Sequence, residues 1–237
     1  MHTTIKTIPI LPFGMLNAFL VTGPGGPILV DSGLPGSVGA IGRVVRAAGL
    51  EWKDIKLIVL SHGHIDHAGS ASELRTLTGA PVLYHDAETH YCMGERPVLR
   101  PTRLFGRLFR MTGAIERPFP PVSADILMKG EALDLQALGL QGTVLHTPGH
   151  TPGHISVNIE SKGEKAVISG DLMHHPCQIA KPEWVTPFDN DNEAAMETRK
   201  AFLEKYADQP VLILGTHFAN PVAGHIVRDG DTYRFNV

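Results

Sequence analysis

The chain has 237 residues, enough to bury one hydrophobic core, and a globular composition of 43% hydrophobic and 19% charged residues. Its net charge of −3 offers no basic surface for a nucleic-acid backbone, and no apolar run approaches the roughly 20 residues needed to span a bilayer. The two cysteines are too few for a disulfide framework, and the first residues do not resemble a secretory signal peptide. We therefore expect one soluble, cytoplasmic domain over residues 1–237 that binds neither nucleic acid nor membrane.

Short runs rich in Val, Ile and Leu predict buried strands along the chain. Each run is bounded by Gly, Pro or polar residues, which suits a strand buried on both faces. The predicted strands are Gly26–Val30, Lys56–Leu60, Pro81–Tyr84, Gly142–Leu145, Ala166–Ser169 and Val211–Leu214. Hairpin-like strand pairs are expected at both ends of the chain. The clearest joins Ile226–Arg228 to Thr232–Phe235 through Asp229-Gly230.

Helical patterns lie between these strands. Apolar residues with helical spacing predict helices over Ser37–Ala48, Ala68–Leu77 and Asn192–Tyr206. The last of these follows Asp191, a residue type that favours the N-cap position. No repeat, linker or low-complexity stretch divides the chain, so a single domain is predicted.

Four of the predicted strands lead directly into a potential metal ligand. The chain has 13 histidines, many of them in tight clusters. The four strands precede His62, His150, Asp171 and His217, and the first cluster continues through His64, Asp66 and His67. Ligands at the ends of several strands can converge at one sheet edge and form a rigid site. A fifth strand ends at Asp31, which we expect to hydrogen-bond a ligand from behind.

The donor types suit a pair of metal ions. His62 and His64, two residues apart in an extended segment, point to the same side, while Asp66 and His67 turn toward a second centre. Five imidazoles and two carboxylates fit two divalent cations such as Zn²⁺, with Mn, Fe or Co as alternatives. An open position on each cation would mark a catalytic site. The simpler interpretation, ordinary core or surface histidines, does not explain why each cluster follows a strand.

The run His62-Gly63-His64-Ile65-Asp66-His67 resembles the HxHxDH signature of the metallo-β-lactamase superfamily. His150, Asp171 and His217 match the remaining ligands of that family in order and approximate spacing. The resemblance implies an α/β fold, an αββα sandwich of two mixed β-sheets flanked by helices. It further implies a first metal held by His62, His64 and His150, a second held by Asp66, His67 and His217, and Asp171 as the bridge between them.

The last third of the chain, from Gly170 to Phe235, resembles the branch that contains methyl parathion hydrolase and related lactonases. That resemblance implies hydrolysis of lactones, aryl esters and, in some relatives, phosphotriesters. Asp171 and the missing export signal disfavour a dedicated β-lactamase, and the short C-terminal segment disfavours a glyoxalase II-like thioesterase. A non-hydrolytic iron dioxygenase and a metal-binding protein without catalysis stay open as alternatives. His174 stands where acyl-homoserine lactonases often carry Tyr.

The expected mechanism uses both cations to lower the pKa of a shared water, so that a metal-bridging hydroxide attacks a lactone or ester. The predicted catalytic residues are Asp66, Asp171 and His174. Asp66 either passes a proton to the leaving group or acts as a ligand alone. His174 either hydrogen-bonds the substrate or lies outside the reaction. His146 and His154 are expected to brace the backbone.

An arginine-rich segment, residues 95–117, follows the first ligand cluster in the chain. It contains six Arg and two Glu, and Leu104, Phe105, Leu108 and Phe109 share one helical face. This pattern predicts either a cap over the metals that accepts part of a small-molecule substrate or a homodimer contact. A helix packed on the core is the simpler alternative.

Overall fold

Strands and helices alternate along the chain in the order that the sequence predicts. The computed structural model describes residues 3–97, 104–113, 117–138 and 141–237. Its strands are β1 (Thr4–Pro9), β2 (Asn17–Thr22), β3 (Ile28–Val30), β4 (Leu57–Val59), β5 (Val82–His85), β6 (Ile126–Met128), β7 (Ala132–Asp134), β8 (Gly142–His146), β9 (Ile155–Ser161), β10 (Glu164–Ile168), β11 (Val211–Leu214), β12 (Ala223–Asp229) and β13 (Thr232–Asn236). Its α-helices are α1 (Val38–Ala47), α2 (Ile65–Ala68), α3 (Ala71–Thr78), α4 (Thr89–Cys92), α5 (Leu104–Met111), α6 (Cys177–Ala180) and α7 (Asn192–Tyr206). Among the described residues, no helix is long and apolar enough to cross a membrane.

The strands form two mixed sheets within the described part of the chain. The first sheet has the order β1-β2-β3-β4-β5-β6, and its strands from β3 onward are parallel. The second has the order β13-β12-β11-β10-β9-β8-β7, in which β10 and β11 are parallel. Strand β9 is antiparallel to both β8 and β10, so β8, β10 and β11 all run in the same direction. Their carboxyl ends therefore meet at one edge of the second sheet.

Apolar side chains fill three layers, one between the sheets and one outside each sheet. Successive residues of a strand point to opposite faces, so Leu20 packs toward α1 and α3 while Phe19 packs toward the second sheet. On the far side, Val167 and Ile213 of the second sheet pack against Leu203 of α7. Helices thus cover the outer face of each sheet, and the αββα sandwich expected from the sequence is confirmed.

The longest predicted helix has the bounds expected from the sequence, whereas two strand features differ. Asp191 caps α7, since its Oδ1 accepts hydrogen bonds from the amides of Glu193 and Ala194. The last hairpin turns one residue later than predicted because Asp229 pairs with Thr232. Strand β9, which follows a run rich in Gly and Pro and alternates apolar with polar residues, was not predicted from the sequence, and neither were the short strands β6 and β7.

The arginine-rich segment includes the predicted helix, α5. Leu104, Leu108 and Met111 are exposed by 73%, 54% and 83%, respectively. The side chains of Phe105, Phe109 and Arg110, and all of Arg100 and Arg103, lie outside the described residues. The roles as cap and as dimer contact therefore stay predictions.

Candidate metal centre

The seven predicted ligands lie together where the two sheets present their strand ends. Strands β3 and β4 are parallel and end one and three residues before Asp31 and His62. From the second sheet, β8, β10 and β11 lead into His150, Asp171 and His217. Because these strands run in the same direction within each sheet, the fold delivers all of these side chains to one edge of the sandwich.

Three of the histidines, His62, His64 and His150, form what we call the first cluster. All three are buried. The Nε2 atom of His150 lies 3.2 Å from Nε2 of His62 and 3.1 Å from Nδ1 of His64. Burial, together with the neighbouring imidazoles, lowers the pKa of His64 to about 3 and the pKa of His62 well below its usual value. The two rings are therefore neutral and can offer lone pairs.

The first cluster fits a tetrahedral cation. His150 donates its Nδ1 proton to Asp189, which leaves the Nε2 lone pair directed at the other two rings. At metal–nitrogen distances of about 2.0–2.1 Å, tetrahedral ligand nitrogens lie about 3.3 Å apart. The observed separations of 3.1 and 3.2 Å are close to that value. Three imidazole nitrogens converge where a cation would satisfy all of them.

The remaining ligands form the second cluster, which carries charge of both signs. It consists of Asp66, His67, Asp171 and His217. Nε2 of His217 lies 3.5 Å from Oδ2 of Asp66 and 3.2 Å from Oδ2 of Asp171. Burial alone would lower the pKa of His217, but the two carboxylates outweigh burial and raise it to about 10. The same carboxylates raise the pKa of His67 well above its usual value.

Asp171 touches both clusters. Its Oδ2 lies 3.5 Å from Nε2 of His150, and its Oδ1 lies 3.2 Å from Nε2 of His67. Although these last two atoms are close and buried, neither has a hydrogen-bond partner among the described residues. Such buried, unsatisfied polar atoms are uncommon and suit a position between two cations. The charges and orphaned atoms of the second cluster therefore also fit a metal.

Asp31 supports the second cluster from behind, as the sequence analysis expected. Its Oδ2 accepts a hydrogen bond from Nδ1 of His67 at 2.9 Å, which leaves Nε2 of that ring for the cluster. Its Oδ1 accepts from the amide of Ser61 at 2.7 Å. The residue has a left-handed φ of 64°, a conformation that costs energy for a non-glycine residue. The backbone at the end of β3 therefore adopts this conformation where the Asp31 carboxylate contacts His67.

His154 and His146 brace the backbone, as predicted. Nε2 of His154 accepts a hydrogen bond from the amide of Asp171 at 2.8 Å, so its Nδ1 carries the proton and donates to the carbonyl of Thr147. Burial lowers the pKa of His154 to about 3, which keeps the ring neutral for this role. His146 bonds the carbonyl oxygen of Pro152 and stacks on His85 at a ring distance of 4.2 Å.

Two supporting carboxylates were not identified from the sequence. Glu88 is fully buried, and its oxygens accept hydrogen bonds from the amides of Gly63 and Gly153 at 2.8 and 2.7 Å. It therefore joins the loop that carries His62 to the loop that carries His154. Asp189 accepts from Nδ1 of His150 at 3.1 Å. Burial would raise the pKa of Asp189, but the bond to His150 lowers it to about 2.

His174 lies beside the second cluster. Its Nε2 is 3.3 Å from Oδ2 of Asp171, and its ring stacks on His217 at 5.4 Å. Its Nδ1 has no hydrogen-bond partner among the described residues. The ligand atoms of His174, His150 and Asp189 also lie within 4.8 Å of one another. The position suits contact with a substrate, and the predicted catalytic role stays a prediction.

Both clusters open into a cavity of about 400 Å³. The polar residues that line it are His64, Asp66, His150, Asp171, His174 and His217. The apolar residues that line it, which we call the apolar wall, are Leu11, Met15, Leu16, Leu34, Ile65 and Phe188. A concave site with an apolar wall and a few convergent polar groups is typical of small-molecule binding. None of the described residues of α5 lines this cavity.

A larger cavity of about 510 Å³ lies elsewhere on the second sheet. Its lining includes Lys162, Lys165, Glu160 and Asp134, and it contains none of the predicted ligands. Since Lys165 pairs with Glu160 at 3.7 Å, the charges there partly compensate one another. The cavity of about 400 Å³ is therefore the one that contains residues of both donor clusters.

The sequence of the chain was compared with known protein families and with individual proteins. The family model of the metallo-β-lactamase superfamily matches residues 11–217. A probable metallo-hydrolase of Bacillus subtilis (strain 168), YflN, is 33% identical over 170 residues. That match covers 66% of this chain and 60% of YflN, less than two thirds of the relative's length.

Solved structures share the fold. The hydrolase AbOPH, of the β-lactamase superfamily, matches with a TM-score of 0.68 and 24% identity over 94% of this chain and 79% of its own. AidC, a dizinc quorum-quenching lactonase solved with N-hexanoyl-L-homoserine as product, matches with a TM-score of 0.66 and 20% identity, covering 99% of this chain and 90% of its own. Rm3 metallo-β-lactamase matches with a TM-score of 0.63 and 24% identity over 91% and 76%. At these identities the likeness establishes the fold alone.

Proposed function

We propose that this chain, which belongs to the metallo-β-lactamase superfamily, hydrolyses lactones or activated esters with two bound divalent cations. The observation that carries the proposal is the pair of donor clusters joined by Asp171 at one end of a cavity with an apolar wall. Such a site can hold a small molecule with its polar bond toward the clusters and its apolar group against the apolar residues of the cavity.

The proposed ligands divide between the two clusters. His62, His64 and His150 would hold the first cation, and Asp66, His67 and His217 the second, with Asp171 shared by both. Imidazole and carboxylate donors favour Zn²⁺, while Mn, Fe or Co suit the same set. When bound, two such cations supply Lewis acidity and make hydroxide available near neutral pH.

Two residues at the cavity wall would contribute to the reaction directly. The side chain of Asp66 is 23% exposed at the cavity, so its carboxylate can accept a proton and return it to the departing oxygen. His174, whose side chain is 16% exposed and lines the cavity, would hydrogen-bond the substrate or the leaving group. A hydrogen bond of this kind changes a rate by roughly 2- to 10-fold, since its net value is about 0.5–1.5 kcal/mol.

The apolar wall favours substrates with an acyl or aryl group. Leu16, Leu34 and Phe188 line the same cavity as the polar donors, which suits a lactone or ester with a hydrophobic substituent. AidC, described as a lactonase, shows that this fold can accommodate hydrolysis of such a substrate. Phosphotriester hydrolysis would be a side activity of the same site.

The experiment compares kcat/KM of the zinc-loaded protein for lactones, aryl esters, thioesters, phosphotriesters and β-lactams. We expect the highest values for lactones or aryl esters. His174→Asn should lower kcat/KM for the best substrate by roughly 2- to 10-fold. His175→Asn, in the exposed neighbour, serves as the matched control and should leave it unchanged. A higher kcat/KM for a β-lactam or a thioester would replace the proposed substrate class with that one.

A further inference from the structure

Arg199 is a fully buried cation on the inner face of α7. Its neighbours on that face, Phe202 and Leu203, belong to the apolar layer between α7 and the second sheet. Burying an ion among apolar side chains is costly unless the ion is paired and hydrogen-bonded. A cation at this position therefore requires hydrogen-bond acceptors and a carboxylate close to its guanidinium.

The guanidinium ties together the segment that follows Asp171. Nε donates to the carbonyl of Leu172 at 2.9 Å, directly after Asp171 in the chain. Nη1 donates to the carbonyls of Pro182 and Trp184 at 2.8 and 2.9 Å. One side chain thus fixes both ends of the segment that passes beside the cavity.

The remaining nitrogen of the guanidinium faces a carboxylate that contacts a proposed ligand. Nη2 lies 3.8 Å from Oδ2 of Asp189, and both side chains are fully buried. Oδ1 of the same carboxylate accepts from Nδ1 of His150 at 3.1 Å, and Oδ2 accepts from the amide of Thr186. Nη2 has no hydrogen-bond partner among the described residues, so Arg199 meets Asp189 as an ion pair, and Asp189 in turn hydrogen-bonds His150 of the first cluster.

We propose that Arg199 is a positioning residue that acts through Asp189 to orient His150 toward the cation of the first cluster. This inference rests on the proposed function in taking His150 as a ligand. Asp189 fixes the proton of His150 on Nδ1, so the Nε2 lone pair faces His62 and His64. Arg199 supplies the charge that keeps the carboxylate in place, and its backbone bonds hold the loop that carries it.

The same series of contacts reaches the substrate cavity. Phe188, part of the apolar wall, directly precedes Asp189, so the loop that orients His150 also positions this side of the cavity. A change in the position of this loop would alter both the orientation of His150 and the position of Phe188 in the cavity. Loss of Arg199 should therefore affect cation affinity first and the KM of bulky substrates second.

A double-mutant cycle on cation affinity tests the inference. The variants are Arg199→Met, Asp189→Asn and the two combined, with stepwise Zn²⁺ binding measured by competition against a chromophoric chelator. Asp189→Asn keeps an oxygen that can accept from His150 but removes the charge. Arg199→Lys keeps the charge without the planar fork and provides a variant that is easier to fold. Arg228→Met is the matched control, since that arginine pairs with Glu204 on the surface.

We expect Asp189→Asn to weaken the binding of one of the two cations by about 10- to 100-fold, the range seen when a partner of a ligating histidine is removed. Arg199→Met should weaken the same cation by about tenfold, and the double variant should bind no more weakly than Asp189→Asn alone. Such non-additivity is the sign of residues that act in one chain. Arg228→Met should leave both binding steps unchanged.

Additive losses in the double variant would overturn the inference. So would an Arg199→Met protein that is less stable to urea but binds both cations as tightly as before, because that result describes a scaffold residue. A wild-type protein without a cation at His150 would defeat this inference and the proposed function together. Two bound cations and a non-additive cycle in a protein inactive on lactones and esters would defeat the proposed function alone.

Discussion

The two donor clusters lie side by side, yet they handle charge in opposite ways. In the first cluster, burial lowers the pKa of His62 and His64, so the rings are neutral. In the second, the carboxylates outweigh burial and raise the pKa values of His67 and His217. The histidines of the first cluster therefore have free lone pairs, whereas those of the second carry protons that a bound cation must displace. Histidines at neighbouring sites can therefore differ in the pH that cation binding requires.

Exposure separates the clusters as well. The three rings of the first cluster are buried, whereas the side chains of Asp66 and His217 in the second are 23% and 19% exposed. The first cluster thus depends on support from behind, through Asp189 and Glu88. Both clusters line the cavity, and the partly exposed carboxylate of Asp66 in the second is the group placed to exchange a proton with a substrate.

The largest effect is expected at Asp171, which contacts both clusters and so belongs to neither alone. Because its carboxylate lies within 3.5 Å of nitrogens from both clusters, Asp171→Ala should weaken both cations together. We expect kcat/KM to fall by more than the roughly 100-fold upper range for residues behind a ligand. Elemental analysis and activity of the purified variant check this, with Asp86→Ala as an exposed control. Retention of two cations per chain would show that Asp171 does not join the clusters.

A second variant should separate the clusters. Asp31→Asn keeps the size of the side chain but removes one acceptor behind His67, so the second cluster should lose affinity by about 10- to 100-fold. The first cluster has no hydrogen bond to Asp31 and should keep its affinity. Stepwise Zn²⁺ titration measures both constants. Equal weakening of the two sites would mean that they do not bind independently.

The pH dependence of cation binding should also differ between the clusters. The metal-free protein holds a proton on His217 below pH about 10, so cation binding to the second cluster must release at least one proton. Its affinity should rise at least about tenfold per pH unit between roughly pH 6 and 8, because each proton released contributes a tenfold change per unit. The first cluster should show little dependence in that range. Calorimetry in buffers of different ionisation enthalpy counts the protons released.

The folding stability of the metal-free protein should change with pH in the direction opposite to that of cation affinity. Because folding raises the pKa of His217, its contribution to stability is fully present below pH about 6.5 and is lost as pH rises toward 10. Urea unfolding of chelator-treated protein at several pH values provides the control. A proton release of zero at the second cluster would contradict the contrast between the two sites.

The residues of the two clusters could be predicted from the sequence because their signal is local. Each follows a short apolar strand, and His62, His64, Asp66 and His67 lie within six residues. Glu88 gave no such signal, since its partners Gly63 and Gly153 are 25 and 65 residues away in the chain. Contacts of this kind arise from packing and leave no periodic pattern.

Arg199 did leave a signal that the sequence analysis did not use. It lies four residues after Ala195 and four before Leu203, on the buried face of α7. A cation inside an apolar stripe indicates a buried partner of opposite charge. The identity of that partner, Asp189, depends on the path of the loop after Asp171, which no local pattern determines. The apolar wall from residues 11–16 was missed for the same reason.

The smallest effect is expected at the arginine-rich segment, which tests whether anything outside the two clusters shapes catalysis. If α5 acts as a cap, Phe105→Ala or Phe109→Ala should raise KM for long-chain or aryl substrates by less than about tenfold, since full burial of a large apolar side chain is worth roughly 1.5–3 kcal/mol and a cap gives partial contact. Short substrates and the content of both cations should be unaffected. If α5 is instead a homodimer contact, the same changes should shift the protein toward monomer in sedimentation, with little dependence on chain length. Arg107→Ala, at an exposed side chain outside the apolar face, is the matched control on the same helix. Variants with unchanged oligomeric state and equal kinetics on short and long substrates would reject both roles and leave a helix packed on the core.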